Sequence, residues 1–193
     1  MTLKNNIVRT AVSRRSFLTW GSASIAALAL PSVGEAAPVE MALRHLQDRK
    51  LNLYNTHTGE HLSEVYWSNG RYRTDALSRI NHLLRDHRSG DTHPMDPHVL
   101  DLLAALSSKC DAKGPIHIIS GYRSPKTNAW LASNSDGVAY NSLHMQGKAI
   151  DIRLPGHSIH HVGHAAMSLK GGGVGMYPAS DFVHVDCGRL RHW

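Results

Sequence analysis

The chain has 193 residues, 41% of them apolar and 19% charged, enough for one globular domain whose core needs no covalent staples. Its formal charge of +6 is mild. Lys4, Arg9, Arg14 and Arg15 against Glu35 supply half of that charge, and the remainder argues against nucleic acid as the main partner, which would need a concentrated basic face.

Residues 1–36 have the form of an export signal. Ser13-Arg14-Arg15-Ser16-Phe17-Leu18 resembles a twin-arginine motif, residues 20–30 are apolar and small, and Gly34-Glu35-Ala36 offers a cleavage site before Ala37. The apolar stretch is shorter than the roughly 20 residues of a membrane span. The expectation is a cleaved leader, export by the twin-arginine (Tat) machinery to the periplasm, and a folded domain over residues 37–193.

Residues 51–54 and 65–67 read as the strands of a hairpin, with a second tight turn at Ser68-Asn69-Gly70. Thr74 is placed to cap a helix that runs to about His87 and turns Leu77, Ile80, Leu83 and Leu84 inward. Asp96-Pro97 introduces a second helix, from Val99 to about Lys109. Residues 116–119 form an apolar strand running into Gly121-Tyr122-Arg123, and Ser124-Pro125 has the cap-plus-proline form of a helix start. Residues 134–141 are a polar loop.

Residues 142–151, SLHMQGKAID, place His144 and Asp151 seven apart. On a helix such positions are separated by about 10.5 Å, too far to meet at an ion held at about 2.0–2.2 Å. The alternation Ala149-Ile150-Asp151-Ile152-Arg153 instead predicts a strand with Ile150 and Ile152 in the core and Asp151 on the other face. His144 then belongs to a loop that bends at Gly147. Residues 182–186, FVHVD, alternate in the same manner, with Phe182, His184 and Asp186 opposite Val183 and Val185. Antiparallel pairing of the two strands makes Asp151 and His184 cross-strand neighbours, with Cβ atoms about 5 Å apart. Two histidines and an aspartate with an open fourth position are the ligand set of a catalytic zinc.

A helix is expected over 158–169 and a strand over 174–177. His157, His160, His161 and His164 can share one helical face, which is either a solvated surface or a second metal site. Cys110 and Cys187 can pair in an oxidising compartment or stay free, and alternation puts Cys187 on the side of Val183 and Val185, away from His184.

SLHMQGKAID matches the pattern S-x-H-x-x-G-x-A-x-D. With SGYRSPKTN at 120–128, GGVGMYP at 172–178 and FVHVDCGRLRHW at 182–193, the chain resembles the zinc D-alanyl-D-alanine carboxypeptidase and murein endopeptidase family over about residues 45–193. The expected architecture is α+β, a small antiparallel sheet with flanking helices and a metal cleft. The resemblance implies Zn2+ held by His144, Asp151 and His184, and hydrolysis of peptide bonds in the peptidoglycan stems. Arg123 matches an arginine that contacts the substrate or the developing oxyanion. Ser142 either holds substrate or orients the metal shell, and Tyr177 either lines the substrate groove or belongs to the core. Two carboxylates compete as general base. Asp186 shares the face of His184 and stands first, although it can equally fix the His184 ring or exchange the ligand role with it. Asp181 occupies the position of a glutamate in E-x-x-H relatives and is one methylene shorter. Cleavage of peptide cross-links is the leading reading; trimming of terminal D-alanine and a non-catalytic peptidoglycan-binding module are the alternatives.

Overall fold

The computed structural model describes residues 38–135 and 138–193 of the protein; the expected export signal and its boundary at 36/37 lie outside the described residues. A short helix α1 (Pro38–Leu43) leads into the hairpin β1 (Asp48–Asn55) and β2 (His61–Ser68), paired from Asp48 opposite Ser68 to Tyr54 opposite His61. Arg49, Leu51, Leu53 and Asn55 are buried at every second position of β1, the period of a strand covered on one face. Asn69 and Gly70 both take positive φ, 51° and 77°, and fold the chain tightly into β3 (Arg71–Tyr72).

Helix α2 (Thr74–Leu83) differs from expectation at both ends. Thr74 is its first helical residue rather than its cap, and the N-cap residue Arg73 makes no side-chain capping bond. The helix stops short of His87 because the next segment wraps around Asp86. The amides of Arg88 and Ser124 donate to the Asp86 carboxylate at 3.0 and 2.9 Å, and the Gly90 amide donates to its carbonyl at 2.7 Å. Burial works against the charge on Asp86, but these donors and Thr127 hold its carboxyl below the usual range.

Helix α3 (Pro97–Lys109) starts two residues before the expected Val99, with the Asp96 carboxylate accepting from the His98 amide at 3.0 Å and proline at the first position. It is buried on all sides from Val99 to Leu106. The crossover through α2 and α3 is long enough to bring β4 (Ile116–Ser120) parallel to β1. There follow α4 (Pro125–Asn134), β5 (Ala149–Arg153), α5 (Ile159–Ser168), β6 (Gly173–Tyr177), β7 (Phe182–Asp186) and β8 (Arg191–His192). The architecture is α+β, as expected. The sheet has eight strands in the order β3-β2-β1-β4-β5-β7-β6-β8, and it is mixed rather than wholly antiparallel, since β1 with β4 and β6 with β8 run parallel.

Alternate strand residues supply one continuous core. Leu51, Leu53, Ile116, Ile118, Ile150, Ile152, Val183 and Val185 pack with α3 and with Val162 and Ala166 of α5. Among the described residues no helix is long and apolar enough to cross a membrane.

Within this core sits a polar cluster. Asp101 of α3 accepts from Arg49 Nη1 at 2.7 Å, from the Tyr66 hydroxyl at 2.7 Å and from the Tyr72 hydroxyl at 2.6 Å. The Arg49 guanidinium also lies over the Trp67 ring, 4.4 Å from its centroid. One carboxylate thus ties α3 to three consecutive strands.

His87 stacks on His57 with centroids 3.8 Å apart and planes 10° from parallel. Burial, then the His57 ring and Arg88, pull its pKa down to about 4. The neutral form belongs to the folded state, so folding gains nothing from pH above the ordinary value of 6.5 and loses stability as pH falls from there through 4. Urea titrations at pH 7 and pH 4.5 are expected to show this acid loss, and the variant His87→Gln is expected to show less of it.

Candidate metal centre

The register of two strands builds most of the site. β5 and β7 are antiparallel neighbours with Asp151 directly opposite His184. Ile150, Ile152, Val183 and Val185 point into the core, which turns Asp151 and His184 to the opposite face. His144 comes from a single 3-10 turn, Leu143–Gln146, opened by Ser142, whose hydroxyl accepts from the His144 amide at 3.3 Å. The turn closes at Gly147, at φ 65°, a conformation that costs glycine little. A side chain there would also collide with the Pro94 carbonyl.

The result is a triangle of ligand atoms. His184 Nδ1 lies 2.8 Å from Asp151 Oδ1, His144 Nε2 lies 3.3 Å from Asp151 Oδ1, and the two imidazole nitrogens are 3.3 Å apart. Tetrahedral bonds of about 2.0–2.1 Å to zinc require ligand atoms about 3.3 Å apart, so the triangle has the size of one face of such a polyhedron. Among the described residues these three are the group of histidine, cysteine and acidic side chains able to hold a metal.

The hydrogen bonds behind the imidazoles fix which nitrogen is free. His144 Nδ1–H donates to the Gly121 carbonyl at 2.7 Å, leaving Nε2 with its lone pair toward the triangle. His184 Nε2–H donates to Asp186 Oδ2 at 3.0 Å, leaving Nδ1 inward. Both rings are buried. Burial opposes a charge on His184, but Asp151 and Asp186 on its two sides raise its pKa to about 9. Burial likewise opposes ionisation of Asp151, and His144 and His184 hold it below the usual carboxylate range.

The two expected bases stand elsewhere. Asp186 is fully buried beneath His184; besides that ring its oxygens accept from Arg191 Nη2 and Nη1 at 2.6 and 3.1 Å and from the amides of Gly188 and Gly173 at 2.8 and 3.0 Å. Asp186 does not line the cleft and stands behind His184, with hydrogen-bond donors on both of its oxygens. Asp181 closes the short turn Pro178–Ser180 at φ 53° and pairs with Arg153 at 2.6 Å; its side chain is 61% exposed and does not line the cleft.

Around the triangle opens a cleft of about 310 Å³. Arg123 reaches into it from the exit of β4, its Nη2 3.5 Å from Asp151 Oδ2, with contacts to Asn128 and Ser120 at 3.3 and 3.4 Å. Burial lowers the Arg123 pKa from its usual value, and Asp151 offsets part of that. Ser142, Tyr177, Phe182, Arg191 and Trp193 also line the cleft.

Trp193 packs against the His184 ring, centroids 5.3 Å apart, over Gly175, where any Cβ would lie 2.6 Å from the indole. Arg191, Trp193 and the Gly121 carbonyl carry no individual sequence signal. β8 is too short for alternation to show, and a backbone acceptor has no side chain to read.

The remaining sequence candidates do not join the site. Cys110 and Cys187 are free thiols, and burial followed by Asp96 pushes Cys187 up to about 12. His157, just before α5, stacks on His161 of its first turn at 5.5 Å, and these two with His160 and His164 are not among the metal-capable groups of the described residues.

An α+β scaffold that presents two imidazoles and one carboxylate at the floor of an open cleft is the framework of a metallopeptidase. Comparison with known proteins gives the particular family. The chain belongs to the family described as Peptidoglycan L,D-endopeptidase MepK, whose model matches residues 44–193, in agreement with the resemblance read from the motifs. It is 37% identical over 181 residues to the "Peptidoglycan L,D-endopeptidase MepK" of Escherichia coli K12, covering 94% of this chain and 97% of that protein. It is 35% identical over 182 residues to the "Probable peptidoglycan L,D-endopeptidase MepK" of Haemophilus influenzae, covering 94% and 95%.

Proposed function

We propose that the protein is a zinc-dependent endopeptidase that hydrolyses peptide cross-links of peptidoglycan, acting in the periplasm after export. The reading rests first on the triangle of His144, Asp151 and His184, which faces an open cleft. The donor set suits zinc: two imidazoles, each with one nitrogen tied to an acceptor behind it and the other turned to the triangle, and a carboxylate held ionised. Relatives named as L,D-endopeptidases supply the substrate class. In the full chain, residues 1–36 serve as a twin-arginine signal read by the export machinery, and residues 37–193 as the catalytic domain.

When bound, zinc polarises the scissile carbonyl and activates water for attack. The chain's own residues do the rest. His144 Nε2, Asp151 Oδ1 and His184 Nδ1 would hold the ion, and Gly121 and Asp186 keep the rings from turning. Arg123 presents a permanently charged guanidinium to the oxygens of the substrate. Ser142 orients His144 by capping its turn. Tyr177 and Trp193 form part of the cleft wall.

Digestion of purified cross-linked muropeptides with product analysis tests the proposal. The expected products are the two separated stems, with cleavage abolished by a chelator and restored by zinc. Release of terminal D-alanine with the cross-link intact would establish carboxypeptidase action instead. Binding to sacculi by zinc-loaded protein without chelator-sensitive products would establish a binding module.

A further inference from the structure

We infer that the Tyr177 hydroxyl is a catalytic hydrogen-bond donor to the carbonyl oxygen of the peptide being cleaved, and that Trp193 is the positioning residue that orients it. The inference rests on the endopeptidase reading above and assigns a group that the metal ligands do not supply.

The carboxylates near the cleft are already committed. Asp151 belongs to the ligand triangle, Asp186 is buried behind His184, and Asp181 is outside, paired with Arg153. The cleft is also lined by Ser142, whose hydroxyl caps the turn that carries His144, and by Ser180, in the short turn after β6. Tyr177 stands differently. Trp193 Nε1 donates to the Tyr177 hydroxyl at 2.7 Å. An indole N–H can only donate, which sets the direction of this bond. The Tyr177 oxygen is therefore the acceptor, and its own proton remains available. Among the described residues that proton has no acceptor, and Tyr177 lines the cleft.

The pair is held rigidly. Tyr177 and Phe182 are opposite each other on β6 and β7 and stack with centroids 4.5 Å apart. On the same ladder Gly175 is opposite His184, and its missing side chain makes the space the indole fills. Backbone bonds fasten Trp193 to β6 on both sides, from its amide to the Val174 carbonyl at 3.2 Å and from the Met176 amide to its own carbonyl at 3.0 Å. The Arg191 guanidinium covers its ring at 5.0 Å. A donor pre-set in this way costs no reorganisation when charge develops on a substrate oxygen, the condition under which one hydrogen bond has most effect on rate.

The test compares Tyr177→Phe, Trp193→Phe and the double variant on a soluble cross-linked muropeptide, with zinc content measured for each. Affinity for a phosphinate dipeptide, whose tetrahedral oxygens imitate the transition state, is measured in parallel. Tyr177→Phe is expected to lower kcat by about 10²-fold with KM nearly unchanged, and to weaken phosphinate binding by the same factor, with zinc retained. Trp193→Phe keeps the aromatic wall and removes the N–H; its expected effect is smaller, about tenfold, and falls on the same quantity. The double variant is expected to be no worse than Tyr177→Phe alone. A change confined to KM, unaltered phosphinate affinity, or additive losses in the double variant would overturn the inference. Wild-type protein that holds zinc yet cuts no peptide would overturn the endopeptidase reading instead; the phosphinate comparison needs no turnover and would still decide for or against Tyr177.

Discussion

Replacing His184 by alanine is expected to abolish stoichiometric zinc and to lower kcat/KM on cross-linked muropeptides by more than about 10³-fold. The size follows from what is lost: a Lewis acid contributes several kcal/mol to transition-state stabilisation, and each 1.36 kcal/mol is a factor of ten. Asp186→Ala should behave differently. It leaves the triangle of ligand atoms in place but removes the acceptor that fixes His184 Nε2–H, so zinc affinity is expected to fall by about 10–100-fold. Excess zinc should then recover most of the turnover. Elemental analysis and rate measurements over a zinc titration separate the two variants. If Asp186→Ala kept full metal affinity and lost only rate, Asp186 would be a proton-transfer group after all, and the reading of its buried environment would be wrong.

The second large effect is on stability. Asp101→Ala is expected to destabilise the fold by about 3–5 kcal/mol, because it leaves the buried Arg49 guanidinium with Glu40 alone, at 3.3 Å and on the exposed side, and strips the acceptor from two tyrosine hydroxyls. Against the roughly 5–15 kcal/mol of a typical domain, that is a large fraction. Urea denaturation of purified protein measures it. Asp101→Asn keeps an acceptor for a tyrosine but not the charge, and should fall between wild type and alanine. A loss below about 1 kcal/mol for Asp101→Ala would show that the cluster contributes little net stability.

The sequence made the convergence of His144, Asp151 and His184 legible because two of them lie on alternating strands. Once Ile150, Ile152, Val183 and Val185 are assigned to the core, the facing of Asp151 and His184 is forced. The parallel partnership of β1 and β4 was not legible, since nothing in 51–54 or 116–119 says which of several apolar strands will neighbour which. Helix α2 was read four residues too long because the apolar period continues through Leu84, whereas its end is decided by Asp86, whose partner Ser124 is 38 residues away. The surroundings of both base candidates were hidden from the sequence for one reason. Alternation tells on which side of a sheet a carboxylate starts, but not whether an arginine such as Arg191 or Arg153 already holds it.

The rung shared by Asp151 and His184 has a further consequence. A slip of β7 by a single residue would drive an imidazole into the hydrocarbon layer and swing two valines out to solvent. Correct threading and the capacity to capture the ion are therefore one event, and a misassembled chain would disqualify itself from chemistry. An enzyme able to cut the wall that protects its own cell would thus stay inert until its β-ladder has locked.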